Sequence, residues 1–81
     1  MNIYIVNRTD KWSYDDYSSF VVISKDEKTA LHTHPDGSIL TYVEEYSNSW
    51  VTSPMFLEVK LIGTARRGAK QGVVLNSFHA G

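Results

Sequence analysis

One short window limits how this chain can fold. The clearest local signal for a helix lies between Ser24 and Pro35, and most of the other apolar runs have the composition of strands. Ser24-Lys25-Asp26-Glu27 has the S-x-x-E form, in which a hydroxyl and a carboxylate satisfy two free amides at a helix start. Asp26 and Glu27 also suit the positive end of a helix dipole. At the far end, Pro35 disfavours helical geometry at His34, and Asp36-Gly37 supplies a turn. The spacing predicts a helix of about two to three turns, too short to be stable alone. It must dock on a sheet through Ala30 and Leu31.

The rest of the chain supplies that sheet. Residues 3–6 are β-branched and aromatic, as strands prefer. Residues 9–18 are polar with three aromatics and read as a long wet loop. Residues 19–24 are almost continuously apolar, which predicts a central strand covered on both faces. From 55 to 62 the pattern alternates, with Met55, Leu57, Val59 and Leu61 on one side and Glu58 and Lys60 on the other. Gly72 introduces a last strand over 73–78, expected to form a hairpin with its predecessor around a turn at 63–72. Residues 39–46 fit either period and lean to a strand or extended segment, and 47–49 read as a loop. Elements segregated in this way predict an α+β fold: a small antiparallel sheet of about four strands with one short helix packed on one face. The opposite face is then exposed, thinly covered by loop aromatics, or buried in an oligomer.

Eighty-one residues make one small domain over 1–81, and 42% hydrophobic with 21% charged residues excludes a disordered tail or a fibre. With no cysteine, disulfides, thiolate zinc sites and thiol nucleophiles are excluded. The net charge of −1 conceals a split. Residues 1–45 set four cations against eight acids, and residues 46–81 set Lys60, Arg66, Arg67 and Lys70 against Glu58 alone. Bulk attraction to nucleic acid is not expected of such a molecule. No basic n-region with an apolar h-region opens the chain, and no apolar run approaches the ~20 residues of a membrane span. An intracellular protein is the expectation.

Three clusters could carry function. The loop 64–72 carries Arg66, Arg67 and Lys70 with two glycines, Gly68 and Gly72, a set that suits phosphate or carboxylate but equally a solvated turn. It is not a P-loop, because Ala69 stands where the lysine belongs and a strand follows. His32, Thr33 and His34 with His79 could form a histidine metal site, but the pair sits at a helix end where such side chains diverge, so no metal is expected. The aromatic, acidic loop presents Trp12, Tyr14, Asp15, Asp16 and Tyr17, with Asp10 nearby; it lacks an EF-hand pattern and suits contact with a partner's arginines. No nucleophile elbow is present, and the strands lack the basic-aromatic pattern of RNA-binding sheets. Neither an enzyme nor a cofactor is expected.

Several segments together resemble one family. They are Tyr4-Ile5-Val6, the run from Trp12 through Tyr14-Asp15-Asp16-Tyr17 to Val22, Ala30 with His34-Pro35, Ile62-Gly63, and the closing Gly72-Val73-Val74-Leu75-Asn76-Ser77-Phe78-His79-Ala80-Gly81. The chain is similar to short hypothetical proteins of tailed bacteriophages and prophages, over all but roughly residues 36–49. The resemblance implies a small phage accessory protein in the host bacterial cytoplasm, and no chemistry. By analogy, such proteins bind and block host factors, including defence systems. The leading expectation is therefore an inhibitor of a host protein, such as a nuclease or CRISPR-type effector, contacted through Trp12, Tyr14, Asp15, Asp16 and Tyr17. A second is an oligomeric binder that sequesters a phosphate-containing nucleotide signal through Arg66, Arg67 and Lys70. A third is a virion or assembly component.

Overall fold

The computed structural model describes residues 1–10, 16–39, 50 and 54–79, with only the backbone at 16, 54, 78 and 79. Strand β1 is Asn2–Arg8, β2 is Asp16–Ser24, and helix α1 is Glu27–Leu31. A 3-10 turn at Pro54–Phe56 leads into β3, Leu57–Thr64, and β4 is Gly72–His79. The four strands form one sheet in the order β3-β1-β2-β4. Every neighbouring pair is antiparallel. This is the α+β architecture expected from the sequence, with one short helix against the sheet.

Cross-strand pairing builds the core on one face. Tyr4 stands opposite Val22 and Val6 opposite Phe20. The same row continues outward, with Val59 beside Val6 on β3 and Val73 beside Val22 on β4. Ala30 of α1 and Trp50 close over this face, and Tyr17, Phe56 and Leu57 pack at its margin. Phe20 and Trp50 meet edge to face at 5.4 Å between ring centres, a geometry that aromatic rings favour. Burying a side chain such as Phe20 or Val6 contributes about 1.5–3 kcal/mol each.

Local structure departs from the sequence reading at the helix start. Asp26, not Ser24, is the N-cap: its Oδ1 accepts from the Thr29 amide at 2.8 Å. Ser24 is fully buried as the last core-facing residue of β2, and its hydroxyl donates to the Asp26 carbonyl at 3.0 Å. The helix is consequently shorter than the two to three turns expected. Ala30 docks as expected and is fully buried, and Leu31 is half-buried.

The last two strands also differ from expectation. They are not a hairpin: β3 and β4 occupy opposite edges of the sheet. The intervening residues 65–71 must cross three strand spacings, roughly 14 Å, passing the start of β1, where the Ala65 amide donates to the Met1 carbonyl at 2.9 Å. Met55 lies in the 3-10 turn and is exposed, not on the strand. Leu61, expected on the core side, is 60% exposed at the sheet edge. β2 begins earlier than expected, at Asp16, because Ser18 is an extra residue in the pairing with β4. That bulge turns Tyr17 onto the core side. Of residues 39–46, only Ile39 is described; it forms an isolated bridge with Thr33. The remaining residues to 49 lie outside the described set.

Candidate functional site

The face of the sheet opposite α1 carries no covering element among the described residues. Three transverse rows cross it. Nearest the crossover, Gly63, Ile3, Ile23 and Gly72 are cross-strand partners. The middle row is Lys60, Ile5, Val21 and Leu75. The third is polar, with Glu58, Asn7, Ser19 and Ser77. Residues 19–24, expected to be covered on both faces, are therefore covered on one: Phe20 and Val22 are buried, while Val21 and Ile23 are only half-buried. The glycines at both edges of the first row add no side chains, and Ile3 Cδ1 lies 3.8 Å from where a Gly63 side chain would begin. Leu75 is 67% exposed. Lys60 and Glu58 pair at 3.1 Å on β3, an exposed pair that contributes little to stability. β4, by contrast, has no Asp, Glu, Lys or Arg along its length. Such an edge lacks the charges that usually discourage strand pairing.

A second cluster holds the two ends of the β1–β2 connection. Arg8 forks onto Asp10, with Nε to Oδ1 at 2.7 Å and Nη2 to Oδ2 at 2.9 Å. Its Nη1 donates to the Tyr17 carbonyl at 3.1 Å, and the guanidinium lies 5.7 Å from the Trp50 ring centre. The Arg8 side chain is 6% exposed, so the charge needs each of these contacts. The Arg8 hydrogen bond, and secondarily its charge, hold the Asp10 carboxyl below the ordinary aspartate range despite partial burial. The sequence reading missed Arg8. A lone arginine at the end of a strand, two residues before an aspartate, was the available signal.

The described residues locate only some of the side chains expected to act together. Tyr17 packs against the core and meets the His34 ring edge-on at 5.8 Å, so it is not an exposed anchor. Asp16 pairs with His79 through the strand backbone. Trp12, Tyr14 and Asp15 lie outside the described residues. Arg66, Arg67 and Lys70 are all exposed on the crossover, where the Ala69 amide closes a turn onto the Arg66 carbonyl at 3.1 Å and Gly68 takes φ +90°. His32 and His34 do different work. The His32 Nδ1 donates to the Lys28 carbonyl at 2.8 Å, beyond the end of α1. His34 is buried, its Nδ1 within 3.1 Å of the Asp36 amide and 3.0 Å of the Asp36 carboxylate. Those two contacts exclude each other, since a nitrogen that accepts from the amide has no proton for the carboxylate. Either one ties the ring to Asp36.

A cleft of about 600 Å³ opens on the covered side, between α1 with the 33–39 turn and the start of β4. Lys25, Lys28, His32, Ile39 and Gln71 are among its lining. Comparison with known proteins adds no likeness: no family model, no curated protein and no solved structure matches the chain. Among the described residues, no helix is long and apolar enough to cross a membrane.

Proposed function

We propose that this chain is a small non-enzymatic binding protein that docks on a protein partner through the bare face of its sheet. The row Ile5, Val21 and Leu75 beside Ile3 and Ile23 supports the reading, because a contiguous apolar patch rimmed by polar residues marks a contact surface. The polar row Glu58, Asn7, Ser19 and Ser77 supplies part of that rim. Covering five half-exposed aliphatic side chains contributes on the order of 5 kcal/mol. Association itself costs about 4–15 kcal/mol, so the patch alone gives only weak docking. Tight binding requires further contacts, and the uncharged β4 edge is next to hand. Arg8 bonds both Asp10 and the Tyr17 carbonyl, which ties the end of β1 to the start of β2.

In the setting that the phage resemblance implies, the partner is a host bacterial protein and the outcome is inhibition, with nucleases of defence systems as the analogy. The nucleotide reading through Arg66, Arg67 and Lys70 has no such support: none of the three lines the cleft beside α1. The test compares tagged wild type with Val21→Lys and Ile5→Lys in lysate of phage-infected cells. The expected result is a stoichiometric host protein retained by wild type and lost from both variants, whose circular dichroism stays that of the wild type. Retention by folded variants, or capture only of other virion proteins, would sink the proposal.

A further inference from the structure

The geometry points to the cleft between α1 and the start of β4 as a second binding site, for a phosphate-bearing small molecule of nucleotide size. It lies across the sheet from the bare face, because α1 packs on the covered side through Ala30. Its volume, about 600 Å³, falls within the range of small-ligand pockets. Lys28 and His32 stand one turn apart, and Lys25 precedes the cap. Neither lysine ammonium forms a contact ion pair among the described residues; the carboxylate of the lining, Asp26, accepts from the Thr29 amide and, more weakly, feels both lysine charges. Two mobile point charges suit a phosphate better than they suit the planar carboxylate that an arginine fork matches.

The opposite wall is built rather than loose. The His34 amide donates to the Ser38 carbonyl and the Gly37 amide to the His34 carbonyl, both at 2.8 Å. Gly37 makes that turn at φ +97°, a conformation costly for other residues. Asn76 of β4 donates through Nδ2 to the Pro35 carbonyl at 3.0 Å, and Pro35 is fully buried. On this wall Ile39 is 86% exposed and lines the cleft, an apolar surface for a flat organic body. The Gln71 amide, also in the lining, can donate and accept beside it.

Amide NMR titration of the full chain with AMP, adenosine and inorganic phosphate tests the assignment. AMP should shift residues 25–39, 71 and 72 saturably, with adenosine and phosphate each weaker. The double variant Lys25→Ala, Lys28→Ala should keep its fold and bind AMP about tenfold more weakly, as expected when two exposed charge contacts are lost. Adenosine or phosphate binding as tightly as AMP would overturn the assignment. So would AMP shifts unaffected by the double variant, or shifts centred on Arg66 and Arg67. These variants leave the bare face intact, so failure here is separable from failure of the protein-docking proposal.

Discussion

Phe20 and Val21 are neighbours in one strand, both apolar, and they meet opposite fates. Phe20 is 1% exposed beneath α1 and Trp50, while Val21 on the reverse side is only half-buried. The two faces of this sheet are built from similar residues: Tyr4, Val6, Phe20 and Val22 on one side, Ile3, Ile5, Val21 and Ile23 on the other. They differ in what lies over them. The covered face stabilises the fold, while among the described residues nothing packs over the other, where we propose that a partner docks. An apolar strand pattern therefore separates stability from recognition only once the cover is known.

The comparison is most easily broken at Phe20. Phe20→Ala should cost about 3–5 kcal/mol by loss of burial and creation of a cavity, much of the stability of a domain this small. Val21→Lys should change it by less than about 1 kcal/mol. Urea denaturation of both variants checks this, and equal losses would mean that the two faces are equally buried in solution.

The Arg8 clamp should come next. Arg8→Ala leaves Asp10 without its partner and Trp50 without its cation, at a cost of roughly 1–3 kcal/mol. Asp10→Ala should cost at least as much, since it strands the buried Arg8 charge, whereas Asp10 left alone is 27% exposed and can be hydrated. A reversed order in the same denaturation series would remove the clamp from the account.

Acid should weaken the fold through the same group. Arg8 lowers the Asp10 carboxyl, and the Ser38 hydrogen bonds lower Asp36. A carboxyl depressed in the folded state adds stability that is complete above its unfolded value of 3.8 and is lost as the pH falls through the folded value. The melting temperature should drop as the pH falls from about 5 toward 2, and Asp10→Asn should flatten that slope. An unchanged slope would mean that the pair does not hold in solution.

The smallest effect separates two cap assignments on the covered side. Asp26→Ala should lower the melting temperature slightly, because Thr29 loses its acceptor. Glu27→Ala should change it less than Asp26→Ala, whereas a Ser24 capping box would make the Glu27 side chain matter.

Much of the scaffold was legible in the residues. The helix window, its stop before Pro35 and the stretches that become strands follow from short-range chemistry: caps, turn residues and alternation act over a few positions. Two local signals compete at Ser24. Its hydroxyl could cap a helix, but as the last inward position of β2 it is drawn into the core, and Asp26 takes the cap instead. The candidate site was less legible, since the 64–72 loop has the composition of a hairpin tip and only the pairing shows it to be a crossover.

By itself, then, the sequence determined that a small antiparallel sheet would carry one short helix, because backbone propensity and capping are local. Tertiary structure alone decided that β3 and β4 take opposite edges, that Arg8 reaches Asp10, Tyr17 and Trp50, and that Ile5 and Val21 lie on the face over which no described element packs. Strand alternation shows that successive side chains face opposite ways, but it does not say which strands become neighbours or which face receives the helix. Those choices depend on contacts between residues far apart in the chain, and a single helix could cover only one side.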